Sequence, residues 1–124
     1  MPTTVSSKDC SYQKHQRLVS KADFSRIFEN NQRSVDPLFT VLGKNNDLGY
    51  ARLGMAISMK IAGNAVRRNH LKRAVRESFR HAGDTLPAID FVVMAKAGAT
   101  LADRGKLRHS LDRHWQKVSE KCAA

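Results

Sequence analysis

The sequence predicts an α+β fold, a single β-sheet with helices packed on it, from three patterns. Between Leu71 and Ala82, the apolar and small residues Leu71, Ala74, Val75, Ser78, Phe79 and Ala82 recur at helical spacing. At about 100° per residue they gather on one side, the side that packs on a sheet. From Tyr50 to Lys60 the pattern alternates, with Leu53, Met55, Ile57 and Met59 set against Arg52, Gly54, Ala56, Ser58 and Lys60, as in a half-buried strand. Residues 88 to 97 (AIDFVVMAKA) are apolar on both alternating faces, as for a central strand beneath a helix. A chain of 124 residues suffices for one domain with a real core, without disulfides or metal.

Residues 1 to 17 (MPTTVSSKDCSYQKHQR) are polar and aperiodic, so a flexible N-terminal segment is expected ahead of a single domain over 18 to 121. Tyr12 and its neighbouring cations are one candidate contact to a nucleic acid. Ser20 with Asp23 makes a capping-box-like start, and Phe24, Ile27 and Phe28 form the apolar edge of a short helix ending near Asn30. Two readings of Phe24 and Phe28 stay open here. They are either core, or a platform on which unpaired bases stack, worth about 1–3 kcal/mol per base.

Residues 33 to 43 (RSVDPLFTVLG) predict a short strand, an irregularity at Pro37, and a second strand through Phe39 and Val41. KNNDLG is turn chemistry. In the following strand the small residues on the face of Arg52, Ser58 and Lys60 leave room for a single strand of nucleic acid, although a solvated face has the same pattern. Asn64 is an N-cap for the next helix, with Gly63 turning the chain in and Gly83 closing the far end in a left-handed conformation. After the strand at 88 to 97, Thr100 and Asp103 open a last helix. Its core stripe is Leu101, Leu107, Leu111, Trp115 and Val118. His109 and His114 have no third partner and are read as surface residues.

Lys and Arg outnumber Asp and Glu 22 to 11, a net charge of +11 that attracts polyphosphates and makes binding salt-dependent. Seven of these cations lie between Lys60 and His81, with Glu77 as the only acid among them. Lys72, Arg73, Arg76 and Arg80 share an arc with Asn69 beside the apolar stripe, and Arg68 stands at the border. Like charges at i,i+4, Arg68/Lys72 and Lys72/Arg76, cost a few tenths of a kcal/mol per pair in an isolated helix. An arrangement so unfavourable by itself points to a polyanionic partner. A DNA-recognition helix fits poorly, because no preceding helix pairs with it as helix-turn-helix.

Other chemistries find little support. Cys10 and Cys122 lie at opposite ends in no metal-ligand spacing and read as reduced cytosolic thiols. No metal site, bilayer span or secretion signal is implied, so a cytoplasmic protein without membrane association is expected. The AGN before the basic helix lacks the glycines and the GK[ST] ending of a phosphate loop. No catalytic constellation can be argued from spacing, so a self-contained enzyme is not expected.

Lys60, RRNHLKR at 67 to 73, Arg76, Glu77 and Phe79 together resemble the protein subunit of bacterial ribonuclease P. That family carries RNR-x-KR-x-x-R-E, and Arg68, Asn69, Lys72, Arg73, Arg76 and Glu77 stand in the matching places. DFSRIF at 23 to 28, RLGMAISMK at 52 to 60 and DFVVMAK at 90 to 96 resemble the family's first helix, the strand before the motif helix and the last strand. Similarity extends from about Arg17 to Val118.

The resemblance implies three helices on a four-stranded sheet, like ribosomal protein S5 domain 2 (αβββαβα), with a left-handed βαβ crossover against the usual rule. It implies an accessory subunit of an endoribonuclease. A catalytic RNA, with Mg²⁺ required by that RNA and no cofactor bound by the chain, removes the 5′ leader of precursor tRNA. No obligate protein partner is implied. Carried over residue by residue, Arg68, Asn69, His70, Lys72, Arg73 and Arg76 contact the catalytic RNA, while Phe24, Phe28, Phe39, Arg52, Ser58 and Lys60 contact the leader in a groove. Two positions depart from the family. His70 replaces the usual Arg with a ring mostly neutral at pH 7, and Leu42 and Gly43 stand in the groove strand where some relatives carry tyrosine. The alternative function is a structural RNA-binding protein of ribosomal type on the same fold.

Overall fold

A computed structural model describes residues 17 and 21–123. The expectations for the N-terminal segment, Cys10, Tyr12 and the Ser20 cap lie outside these residues. The elements are α1 (Lys21–Glu29), β1 (Gln32–Val35), β2 (Phe39–Asn45), β3 (Arg52–Ala56), α2 (Met59–Ala62), α3 (Ala65–Ala82), β4 (Ile89–Ala95) and α4 (Arg104–Ala123). The sheet order is β1-β2-β4-β3. β1/β2 and β2/β4 pair antiparallel, and β3/β4 pair parallel across α3. The fold is α+β, as expected, with a one-turn α2 added to the three longer helices.

β4 lies inside the sheet, and its two apolar faces follow from that place. On one face Ile89, Phe91 and Val93 join Phe39, Val41 and Leu53 beneath Leu71, Val75 and Phe79 of α3 and Leu107, Leu111, Trp115 and Val118 of α4. Phe79, Phe91 and Trp115 meet edge to face at 5.2–6.4 Å, an arrangement that adds to plain burial. On the other face Leu42 and Val92 pack under Ile27 of α1. Gly43 is on the α4 side, where a Cβ would run into Val118. It therefore forms no part of the groove strand's exposed face, and its lack of a side chain lets α4 approach the sheet.

Several expectations are corrected. β3 stops at Ala56, because the Ser58 hydroxyl accepts a bond from the Ile61 amide and starts α2, which Gly63 ends at φ 93°. Ser58, Met59 and Lys60 thus leave the alternation, and Met59 is exposed. Asn64 does cap α3, its side chain accepting from the Arg67 amide at 2.8 Å, but Gly83 is not left-handed and opens a 3₁₀ turn instead. Asp103 caps α4 through the Lys106 amide at 2.9 Å. Thr100 and Leu101 precede the helix in and after another 3₁₀ turn, which leaves Leu101 87% exposed and outside the core stripe.

His114 is buried, not on the surface. Its Nδ1 is 2.7 Å from Ser34 Oγ and its Nε2 is 3.1 Å from Asp36 Oδ2. Ser110 Oγ also donates to Asp36 Oδ2, at 2.6 Å. Serine, histidine and aspartate are brought together, but Ser34 and His114 are enclosed, so no substrate reaches them. The cluster ties α4 to β1 and to the turn after it.

Candidate nucleic-acid interface

α3 displays its cations on the side away from the sheet. Arg68, Lys72 and Arg76 occupy one flank, and Asn69, Arg73 and Arg80 face outward. His70, Glu77 and His81 turn to the opposite flank. Asn69, His70, Arg73 and Arg76 are exposed, while Arg68, Lys72 and Arg80 are half-buried. Arg68 is held in place by its Nε, which donates to the Ile57 carbonyl at 2.7 Å and ties the helix to the end of β3. None of the α3 cations enters an ion pair among the described residues. Burial, then the neighbouring charges of Arg68 and Arg76, hold the Lys72 ammonium below its ordinary pKa. An approaching anion would relieve that repulsion. Among the described residues no three His, Cys, Asp or Glu side chains converge as metal ligands.

A second surface lies on the opposite sheet face, beside α1. The Phe24 and Phe28 rings stack at 6.3 Å and 26°. Phe24 packs against the Ile27, Leu42 and Val92 cluster, whereas Phe28 is 47% exposed. The strand register places Val35, Thr40, Met94 and Ala56 in one row across all four strands. These residues are exposed or half-buried. The row spans about 14 Å, three intervals of about 4.8 Å. It ends at Ala56, next to Ile57, to which Arg68 is bonded.

The six motif positions therefore share one helix surface, although His70 faces away from Arg68, Lys72 and Arg76. The six groove positions do not assemble as expected. Phe39 is fully buried on the α3/α4 face. Alternation alone does not say which of two covered faces a residue takes, and a side chain with no exposed surface has none to offer a leader. Arg52 is on the groove face but is already engaged. Its Nε donates to Asp90 Oδ1 at 2.7 Å and its Nη2 to Oδ2 at 2.6 Å, and its Nη1 lies 3.5 Å from Asp23 of α1. Ser58 and Lys60 are exposed in the α2 turn, beyond the end of the strand. The anchoring cluster of Asp23, Arg26, Arg52 and Asp90 was not anticipated from the sequence. A single acid in an otherwise apolar central strand was the signal for it, since a buried carboxylate demands a partner.

The family model described as Ribonuclease P matches residues 12–119. The ribonuclease P protein component of Methylococcus capsulatus is 39% identical over 123 residues, 99% of this chain and 96% of the relative. That of Salmonella arizonae is 41% identical over 101 residues, 82% of this chain and 85% of the relative. Among solved structures, the ribonuclease P protein of Staphylococcus aureus superposes with a TM-score of 0.79 at 34% identity, covering 84% of this chain and 97% of the other. That of Thermotoga maritima gives 0.75 at 33% identity, covering 82% and 96%.

Proposed function

The chain belongs to the ribonuclease P protein family, and from that premise we propose that it serves as the protein subunit of a ribonucleoprotein that removes the 5′ leader of precursor tRNA. The catalytic RNA carries the chemistry and requires Mg²⁺. The chain's residues bind and orient. Arg68, Asn69, Lys72, Arg73 and Arg76 on α3 dock the catalytic RNA through its phosphates, with salt-dependent affinity. Phe28, with the partly exposed row Val35–Thr40–Met94–Ala56, receives the unpaired leader by stacking and apolar contact.

One observation carries this division. The partly exposed row runs out beside Ile57, whose carbonyl is bonded to Arg68. A strand lying along the row is thereby led to the start of the basic helix, so leader and catalytic RNA meet at one edge of the protein. No helix among the described residues is long and apolar enough to cross a membrane, and the proposed site of action is the cytoplasm.

Reconstitution tests the proposal. The purified protein alone leaves precursor tRNA uncut, and adding it to a bacterial ribonuclease P RNA restores 5′ cleavage at a low Mg²⁺ concentration where the RNA alone is slow. If the mixture cleaves no faster than the RNA by itself, the proposal fails.

A further inference from the structure

On the flank of α3 away from Lys72 and Arg76, His70, Arg73, Glu77 and His81 face Arg104 and Arg108 of α4 across a cleft of about 250 Å³. The rest of its lining is small side chains. The space is slightly smaller than ordinary ligand clefts of about 300–1,000 Å³, on the scale of a single base with its ribose. Neither Arg104 nor Arg108 belongs to the basic stripe of α3.

The charge arrangement has no internal explanation. Three guanidiniums converge, and none pairs with Glu77 or with any other acid among the described residues. Arg104 and Arg108 also occupy the first turns of α4, where the helix dipole disfavours cations and where the Asp103 carboxylate caps the Lys106 amide and pairs with neither arginine. Both features are relieved by a bound phosphate. Glu77 adds a second requirement. Its carboxylate lines the cleft with both oxygens unengaged among the described residues, and it repels phosphate while accepting N–H donors. An occupant that satisfies both has a phosphate at one end and a pair of adjacent N–H donors at the other. The Watson–Crick edge of an unpaired guanine carries such a pair, and imidazole rings provide faces on which a base stacks.

We propose that the α3/α4 cleft takes one unpaired guanosine nucleotide of the catalytic RNA, with Arg73, Arg104 and Arg108 on its phosphates and Glu77 on its base edge. The choice of RNA rests on the function proposed above; the nucleotide chemistry rests on the cleft.

Glu77→Gln gives opposite signs under the competing accounts. If Glu77 is only a negative charge beside an RNA-binding surface, its removal tightens binding of the catalytic RNA. If it reads a base edge, binding weakens, by roughly tenfold for one good bidentate contact. The Arg104→Ala/Arg108→Ala double variant should weaken binding more than tenfold and remove chemical protection from one unpaired guanosine, while protection near Lys72 and Arg76 persists. Tighter or unchanged binding by Glu77→Gln, or an unaltered footprint in the double variant, overturns the proposal. Thermal melting controls for folding, since none of the three side chains makes a hydrogen bond or ion pair among the described residues. A third arm is independent of ribonuclease P. Guanosine monophosphate titrated into the protein should shift the ring signals of His70 and His81 more than adenosine monophosphate does. No shift, or equal shifts, overturns the cleft even if cleavage is reconstituted. Failed reconstitution alongside a guanosine-selective shift would instead reject the choice of RNA and keep the site.

Discussion

Arg52 and Asp90 sit opposite each other on the parallel strands β3 and β4, and the guanidinium of one grips both carboxylate oxygens of the other at 2.6–2.7 Å. Asp90 is only 1% exposed. Asn46 adds a bond to Oδ1 at 2.8 Å, and Arg26 of α1 approaches Oδ2 at 3.4 Å. The carboxylate holds the Arg52 guanidinium above its ordinary pKa. Breaking such a pair from one side leaves a buried charge, and Arg52→Ala should cost about 3 kcal/mol, read as a lower urea midpoint. A change below about 1 kcal/mol would place the pair among solvated surface contacts.

Phe28 and Phe24 separate stacking from packing. Phe28 is half exposed and Phe24 is packed in the small core, so Phe28→Ala should keep the melting temperature while Phe24→Ala lowers it. In the reconstituted enzyme, Phe28→Ala should weaken leader-bearing precursor by about 1–3 kcal/mol and leave mature tRNA unaffected. Equal weakening for both RNAs would remove Phe28 from leader recognition.

Neutralising Lys72 and Arg76 together tests docking on α3. The slope of log affinity for the catalytic RNA against log salt should flatten by roughly 0.7–0.9 for each phosphate that is no longer neutralised. Stability should hold or rise slightly, because the Arg68/Lys72 and Lys72/Arg76 repulsions disappear. An unchanged slope would mean that these cations do not touch phosphates.

Acid should weaken the fold in two stages. Burial pushes the His114 imidazole below its ordinary value near 6.5, an effect that Asp36 only partly offsets. Below that value the unfolded chain takes up a proton that the native state resists, so stability begins to fall. Burial alone would raise the Asp36 carboxyl, but bonds from Ser110, Phe39 and Leu38 outweigh it and bring it from 3.8 to about 2. The unfolded state again holds more protons between those values, and stability is lost as pH falls through them. After allowance for solvent screening the second stage is worth about 1 kcal/mol. Asp36→Asn should abolish it in a series of urea melts from pH 5 to pH 2.

Periodicity and local chemistry in the sequence determined the helix from Ala65 to Ala82 with its Asn64 cap, its buried side and its basic flank, the central place of β4, and the family signature. These depend on neighbours within a turn or a pleat. The tertiary structure decided what depends on distant partners. Phe39 and Leu42 look alike in a strand whose two faces are both covered, yet one lies under α3 and α4 and the other under α1. Arg52 was legible as a free cation until Asp90, 38 residues away, was found beside it. His114 had no visible partner until Ser34, 80 residues away, closed on it. The pairing of α3 with the first turns of α4 likewise set Arg104 and Arg108 opposite Glu77. A sequence records that a residue must be covered or compensated, but only the packed layers choose which element does it.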